Sequence, residues 1–236
     1  MENELKTDGR ISAALSFVRR GSVVADIGTD HGYIPIYLVT NGVSPFAYAS
    51  DVNRMPLERA RTNAAKYGVG DRIRFCLSDG LRFIDEGKCE GRLPDDIVIC
   101  GMGGELIADI IGASEYARTR GVRLILQPMT RTDRLREYLA ENGFSIVDER
   151  LCTAAGKLYA VICAEYVGGR KALTRPEALL GEANIARGGE MFTRYAEAVL
   201  DKLTKKIDGL TAGGHHADAE KALYDEIKEI IKGRKK

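Results

Sequence analysis

The sequence predicts an α/β protein with a seven-stranded, mostly parallel sheet, followed by an α-helical hairpin. Three observations lead to this prediction. Up to residue 166, short apolar segments alternate with helical patterns, which is typical of parallel strands covered by helices on both faces. The last two strand segments have no helix between them and are expected to form an antiparallel hairpin at one end of the sheet. Beyond residue 166, apolar positions recur every three or four residues.

The elements of the first part follow from apolar runs and from their Gly and Pro boundaries. A first helix is predicted over residues 11–20, with Gly21 as its stop. The predicted strands are residues 22–27, 46–50, 73–77, 97–100, 123–127, 144–151 and 158–167. The predicted helices between them are residues 34–41, 56–67, 105–111 and 133–142. Pro56 at the start of its helix and Gly68 after its end fit the usual asymmetry of helix termini.

The pattern changes after residue 166. Residues 168–171 are interpreted as a linker between a domain of residues 1–166 and a helical domain of residues 167–236. In the latter, apolar residues from Phe192 to Leu210 and again from Leu223 to Ile230 recur at helical spacing, and the glycines of residues 212–216 separate them. Two such helices are expected to pair as an antiparallel hairpin with one buried seam.

The composition indicates an ordinary globular protein. The chain has 236 residues, 44% hydrophobic content and a formal net charge of +1, so no strong overall field favours a nucleic-acid partner. Five cysteines without CxxC spacing are interpreted as reduced thiols, and the presence of only three histidines argues against a Cys/His metal cluster. No apolar run approaches the roughly 20 residues of a membrane span, and the first residues lack a signal-peptide pattern. A cytoplasmic protein without metal or membrane partner is expected.

Acidic residues follow three successive predicted strands. Asp26, Asp51 and Asp79 stand at the carboxyl ends of the first three, which is the edge where open parallel sheets bind ligands. Asp51 lies 23 residues beyond Gly28, near the spacing at which an acid reaches ribose hydroxyls. The Gly28-x-x-x-Gly32 spacing is not the dinucleotide fingerprint, and an acid in this turn would repel a pyrophosphate. The charge pattern therefore favours S-adenosylmethionine, a cationic cofactor without phosphate, over NAD.

The order of several longer motifs adds a resemblance. ADIGTDHGYIPIYL, ASDVNRMPLERARTNAAKYGV, LSDGL, DIVICGMGGELIADII, LILQPM, LREYLAENGFSIVDE and GKLYAVI resemble, in that order, the bacterial tRNA (adenine(22)-N1)-methyltransferase family. The resemblance covers about residues 5–166. It implies a Rossmann-like class I methyltransferase sheet of seven strands, the last antiparallel, with a coiled-coil-like C-terminal helical hairpin. It also implies S-adenosylmethionine-dependent methylation of an adenine N1 in tRNA.

The resemblance and the charge pattern together give the candidate site residues. For the cofactor they are Asp26, Gly28, Gly32, Asp51, Val52, Asp79, Gly80, Gly101, Met102, Gly103 and Gly104. Asp30, His31 and Tyr33 are expected to face the reaction, with Asp30 stabilising charge on the base and His31 or Tyr33 positioning it. Candidate tRNA contacts are Arg10, Arg54, Gln127, Lys202, Lys205 and Lys206.

Several alternatives stay open from the sequence. Asp30 could cap the following helix, His31 and Tyr33 could serve packing within the turn, and the lysines could form the solvated face of a helix. At the level of function, the alternatives are a methyltransferase for another RNA or a small metabolite, and a non-catalytic adaptor with a vestigial cofactor pocket. A monomer or a weak homodimer is expected.

Overall fold

The computed structural model describes residues 7–89 and 91–234, and this part of the chain contains one seven-stranded sheet with the order β3-β2-β1-β4-β5-β7-β6. The strands are β1 (Val24–Ile27), β2 (Ala47–Asp51), β3 (Ile73–Leu77), β4 (Asp96–Gly103), β5 (Arg123–Thr130), β6 (Phe144–Ala154) and β7 (Lys157–Tyr166). β7 is antiparallel to both of its neighbours, and the other pairs are parallel. The predicted fold class is confirmed, including the antiparallel hairpin at one end of the sheet.

The hairpin between β6 and β7 is tighter than the sequence predicted. The strands pair up to Ala154 and Lys157, which leaves a two-residue turn instead of a loop over residues 152–157. Ala155 and Gly156 have φ values of 47° and 75°, the left-handed backbone that a two-residue hairpin turn requires.

Helices cover both faces of the sheet because its central strands are apolar on both sides. The helices are α1 (Gly9–Leu15), α2 (Tyr33–Thr40), α3 (Arg54–Lys66), α4 (Arg82–Asp85), α5 (Gly104–Gly112) and α6 (Thr132–Glu141). α5 and α6 contribute Ile107 and Leu135 to the core on one face. On the other face, α1 and α2 contribute Ala14 and Leu38. Every residue of β1 is buried, as expected for a strand in the middle of such a sheet.

The first helix is shorter than predicted. α1 ends at Leu15 rather than continuing to residue 20. The chain turns after it, so that the backbone N–H of Arg19 donates to Asp96 Oδ2 at 2.8 Å and Arg19 Nε donates to Asp96 Oδ1 at 2.7 Å. This long-range anchor to the fully buried Asp96 replaces the last helical turn, and local periodicity gave no sign of it.

Between residues 167 and 234 the chain forms four helices: α7 (Arg175–Leu180), α8 (Glu182–Arg187), α9 (Gly189–Ala212) and α10 (Asp218–Arg234). The sequence analysis predicted the α9–α10 hairpin, and its seam includes the buried Phe192, Leu203 and Ile227. It missed α7 and α8, although Thr174 and Glu177 form a capping box that is visible in the sequence.

A buried ion pair joins the sheet region to the C-terminal helices. Arg136 on α6 and Glu149 on β6 are both fully buried, with Arg136 Nε donating to Glu149 Oε1 at 2.8 Å. Arg136 Nη1 also donates to the carbonyl oxygens of Ala178 and Leu179 on α7, at 2.8 and 3.0 Å. Asn184 on α8 donates to Glu149 Oε2 at 3.0 Å. The pair therefore fixes how the helical region packs against the sheet.

Candidate functional site

A cavity of about 750 Å³ opens at the carboxyl ends of the parallel strands. Of the described residues, five aspartates and one arginine line it, so its charge is strongly negative. Three of the aspartates come from the ends of β1, β2 and β3: Asp26, Asp51 and Asp79. The parallel register places these strand ends side by side, which the sequence pattern predicted.

Glycines let the backbone approach this cavity closely. Gly28 has a φ of 78°, and a Cβ added there would lie 2.0 Å from Met102 Cε. Gly101 also has a left-handed φ, of 81°, and its N–H donates to Gln127 Oε1 at 3.1 Å. The left-handed backbone of this turn is what favours glycine at residue 28, because the contact with Met102 involves only the end of a flexible side chain.

Asp26 is the most perturbed carboxyl group of the cavity. Its residue is 5% exposed, and burial raises the pKa of its carboxyl to about 7, with the charge of Asp51 adding to the effect. A carboxyl with such a pKa is held partly protonated near neutral pH, and a cation placed beside it would favour its ionised form. At the end of β4, burial raises the pKa of the Cys100 thiol as well, which leaves Cys100 without thiolate character.

The turn after β1 carries a polar and aromatic group at the cavity rim. Asp30 Oδ2 lies 3.2 Å from His31 Nε2, and Asp30 Oδ1 lies 3.6 Å from Arg59 Nη1. The rings of His31 and Tyr33 stack with centroids 5.2 Å apart and an interplanar angle of 15°. Tyr33 is 42% exposed and begins α2. Thus the three predicted catalytic side chains do lie together.

α3 braces this turn from behind. Asn63 Nδ2 donates to the carbonyl oxygen of His31 at 3.0 Å. Ala60 packs so closely on Gly32 that an added Cβ at Gly32 would lie 2.9 Å from Ala60 Cβ. Together with Arg59, these contacts fix the turn that presents Asp30. The sequence analysis missed these residues of α3, because their role depends on how α3 packs beside α2.

The opposite wall of the cavity is formed by the start of α1 and the end of β5. The side-chain carboxylate of Asp8 caps α1 by accepting from the backbone N–H groups of Arg10 and Ile11, and it also accepts from Arg10 Nη2 at 2.6 Å. Arg10 Nη1 also lies 3.0 Å from Met129 Sδ, and its guanidinium lies 5.4 Å from the centre of the Tyr159 ring. Asp8 was missed by the sequence analysis, although an acid directly before a helix is a recognisable N-cap signal.

The structure places most, but not all, of the predicted site residues around the cavity. Those that line the cavity are Arg10, Asp26, Gly28, Asp30, His31, Gly32, Tyr33, Asp51, Val52, Asp79, Gly80, Gly101, Met102 and Gln127. Gly103, Gly104 and Arg54 are not part of its lining. Gly104 begins α5 directly against the backbone of Arg131, where an added Cβ would lie 2.3 Å from the Arg131 carbonyl oxygen. Arg54 begins α3, next to the lining residue Asn53.

The predicted lysines lie on α9, away from the cofactor cavity. Lys202 and Lys206 line a second cavity of about 580 Å³ between the sheet and the helical region, whereas Lys205 does not. Arginines 131, 134 and 175 line it as well, and the sequence analysis did not identify them. Together with the two lysines, these arginines come from three separate segments that only the packing of α7 and α9 against the end of β5 brings together.

Two further observations concern the described part of the chain. Within residues 7–89 and 91–234, no helix has both the length and the hydropathy that crossing a bilayer requires. Over the same residues, no group of three or more His, Cys, Asp or Glu side chains is arranged so that it could hold a metal ion.

The chain is similar in sequence and in structure to known proteins. A family model described as a methyltransferase domain matches residues 7–162. The tRNA (adenine(22)-N(1))-methyltransferase of Bacillus subtilis is 37% identical over 163 residues, which cover 69% of this chain and 66% of that protein. The crystal structure of the B. subtilis m1A22 tRNA methyltransferase TrmK is 28% identical, with a TM-score of 0.82 and coverage of 97% of this chain and 100% of that chain. The Streptococcus pneumoniae protein Sp1610, described as a tRNA (m1A22) methyltransferase and solved in complex with S-adenosyl-L-methionine, is 31% identical. Its TM-score is 0.80, and the match covers 94% of this chain and 98% of that chain.

The sheet order and the acidic cavity at its carboxyl edge, with this family match, define a methyltransferase of the Rossmann-like class. Similarity over nearly the whole length to the structures above narrows the class. The chain belongs to the tRNA (adenine(22)-N1)-methyltransferase family.

The cavity fits S-adenosylmethionine chemically. The cofactor carries a sulfonium and an ammonium cation, and the cavity offers the carboxyl groups of Asp26, Asp51 and Asp79. A pyrophosphate would meet the same carboxyl groups and be repelled. At Gly101 no atom of the described residues lies within 4 Å of the position of an added Cβ, so a ligand has open space along the backbone there.

Proposed function

We propose that this protein transfers the methyl group of S-adenosylmethionine to N1 of adenine 22 in tRNA. The observation that carries the proposal is the row of aspartates along the carboxyl edge of the sheet, in a chain that belongs to this family. The structural relative bound to S-adenosyl-L-methionine supports the choice of cofactor. We place the enzyme in the cytoplasm, as a monomer or weak homodimer, with tRNA as its partner.

The residues at the strand ends are proposed to bind different parts of the cofactor. Asp51 at the end of β2 is proposed to accept hydrogen bonds from ribose hydroxyls, and Asp79 after β3 is proposed to accept from an adenine amino group. Asp26 and the turn at Gly28 face the cationic part of the ligand. Gly32, Val52, Gly80, Gly101 and Met102 are proposed to complete the wall. When bound, S-adenosylmethionine supplies an electrophilic methyl group on a sulfonium cation.

The target base must leave its stack before it can react. N1 lies on the Watson–Crick edge of adenine, so a paired base would be blocked, and the base has to be extruded into the site. The stacked rings of His31 and Tyr33 offer an exposed aromatic surface at the cavity rim on which such a base can rest. Gln127 and Arg10 line the other side of the cavity and are proposed to contact the base or its neighbours.

Asp30 is proposed to stabilise the charge that develops on the base. Methyl transfer to N1 gives the adenine ring a positive charge, and little proton removal is needed because N1 is neutral at working pH. Asp30 is two-thirds exposed at the rim, and α3 fixes its turn, so the carboxylate is available and held in place. A fixed negative charge beside the developing cation lowers the barrier more than a mobile solvent dipole would.

The proposed activity is tested by incubating the protein with labelled cofactor and unmodified tRNA and then mapping the methylated nucleoside. One N1-methyladenosine at position 22 is the expected product. Methylation at another position, or of a small metabolite instead of tRNA, would contradict the assignment. Failure to bind the cofactor at micromolar concentration would favour the adaptor alternative.

The role of Asp30 is tested with Asp30→Ala. We expect kcat to fall by about 10²-fold or more, the usual cost of losing one preorganised electrostatic group, while cofactor affinity changes little. The control is Asp71→Ala, which removes an exposed aspartate outside the cavity. Equal losses of cofactor affinity and turnover in Asp30→Ala would reassign Asp30 to cofactor binding.

A further inference from the structure

The second cavity lies between the sheet and the helical region and adjoins the first one. It is called the interdomain cleft below and is formed by the end of β5, the start of α6, β7, α7 and α9. We propose that the interdomain cleft binds the unpaired nucleotides that adjoin the target adenine and holds their phosphates with Lys202 and Lys206. This inference rests on the proposed function, because it assigns part of the same RNA substrate to a second site.

The lining of the interdomain cleft carries an excess of positive charge. Among the described residues, five cations but only two carboxylates line the cleft. The cations are Arg131, Arg134, Arg175, Lys202 and Lys206, and the carboxylates are Asp133 and Glu137. The chain as a whole has a net charge of only +1, so this local excess is not a property of the general surface. A cationic lining of this kind favours a polyanion.

The interdomain cleft lies directly beside the cofactor cavity. Arg10 lines the cofactor cavity, while Met129 and Tyr159 line the cleft. The Arg10 side chain touches both of them, with Nη1 3.0 Å from Met129 Sδ and the guanidinium 5.4 Å from the centre of the Tyr159 ring. One layer of side chains therefore separates the two spaces. A chain with one base in the cofactor cavity has its adjoining nucleotides at the mouth of the cleft.

The volume and the lining of the interdomain cleft suit unpaired nucleotides. The cleft volume of about 580 Å³ falls in the roughly 300–1,000 Å³ range of small-ligand sites and is far too small to admit a duplex. Tyr159 and Tyr195 line it together with the Met129 thioether, and such side chains provide surfaces for unstacked bases. Unpaired nucleotides satisfy these dimensions, whereas a helical arm would contact only the rim.

Lys202 and Lys206 differ in the ion pairs that they form. Lys206 Nζ lies 2.9 Å from Glu220 Oε1, and Arg175 Nη2 lies 3.8 Å from the same oxygen. No carboxylate in the described part of the chain forms an ion pair with Lys202. A phosphate must compete with Glu220 for Lys206 but meets no competitor at Lys202. Lys202 is therefore expected to contribute more to RNA binding than Lys206.

The test uses single alanine variants of α9 in the full-length protein. The KM for tRNA is measured in the methylation assay, and binding of a fluorescein-labelled single-stranded oligoribonucleotide that spans the target site is measured by anisotropy. We expect Lys202→Ala to raise both constants about 5-fold, Lys206→Ala less, and each variant to lower the salt slope by about 0.7, the value of one lost phosphate on a single strand. The dissociation constant of S-adenosylmethionine and the thermal midpoint should not change.

Two comparison variants separate a cleft site from general basicity. Lys205→Ala removes a charge from the same helix at a position outside the cleft lining and should raise the KM less than Lys202→Ala. Lys221→Ala removes an exposed lysine from α10 and serves as the neutral control. Equal effects of Lys205→Ala and Lys202→Ala, or unchanged constants in Lys202→Ala, would overturn the proposal.

The two proposals fail separately. If wild-type protein does not methylate tRNA, the proposed function fails, and the anisotropy measurement still decides whether the cleft binds RNA. If a labelled duplex binds as tightly as the single strand and responds equally to Lys202→Ala, the cleft does not select unpaired nucleotides and the inference is wrong.

Discussion

Asp26 should make the folding stability of this protein depend on pH in an unusual direction. The carboxyl group is buried, and its pKa is raised from 3.8 to about 7. Between these two values the folded chain holds a proton that the unfolded chain has released. Protonation of Asp26 therefore stabilises the folded state at low pH, and this contribution is lost as pH rises through about 7.

The size of the effect follows from the shift. About 3 pKa units correspond to roughly 4 kcal/mol over the full titration. Over the practical range from pH 5 to pH 8, about 2–3 kcal/mol of this contribution should disappear. The Asp26→Asn variant cannot ionise, so its stability lacks this component. The free energy of unfolding of wild type minus that of Asp26→Asn should fall by this amount as the pH rises.

The assay is urea denaturation of the cofactor-free protein at several pH values, with wild type and variant side by side. Taking the difference cancels the titration of the other carboxyl groups, which acts on both proteins. Asp71→Asn, at an exposed position outside the cavity, is the control and should show no pH-dependent difference. Parallel pH profiles of wild type and Asp26→Asn would refute the reasoning, because the buried carboxyl would then be ionised throughout.

The remaining predictions concern stability at two contacts of the fold. Glu149→Ala leaves the buried Arg136 charge without its partner and should lower the free energy of unfolding by about 3–5 kcal/mol, whereas Glu137→Ala breaks an exposed ion pair on the same helix and should cost less than about 1 kcal/mol. Similar losses in urea titrations of the two variants would contradict this account. Gly104→Ala places a Cβ 2.3 Å from a backbone carbonyl oxygen of the β5–α6 loop and should lower the thermal midpoint markedly, while Gly103→Ala meets only a hydroxyl at 3.4 Å. If calorimetry gave equal midpoints for both glycine variants, the packing argument for Gly104 would be wrong.

Local sequence patterns were sufficient to predict the strands and helices whose apolar residues follow a regular spacing. The strands that lead to Asp26, Asp51 and Asp79 were predicted because each is an apolar run followed by a polar end, and neighbouring parallel strands align such ends. The α9–α10 hairpin was predicted because its buried seam repeats at helical spacing. The boundary between the proposed domains of residues 1–166 and 167–236 remains a prediction, since α7 and α8 pack on the sheet through Arg136.

Patterns were insufficient where a residue acts through a partner far along the chain. Arg19 ends the first helix early because it bonds Asp96, 77 residues away. Arg59 and Asn63 brace the turn at Asp30 only because α3 packs beside α2. No periodicity or spacing within one segment records such contacts.

The sequence by itself predicted the class of the sheet, its seven strands, the acidic edge and the chemistry of the ligand, because apolar periodicity and the charges of neighbouring strand ends are local properties. The tertiary structure alone decided that Asp26 is buried enough to titrate near neutral pH, and that cations from three distant segments line one cleft. Desolvation and side-chain proximity depend on which surfaces are covered when the elements pack, and packing joins residues that the sequence keeps far apart.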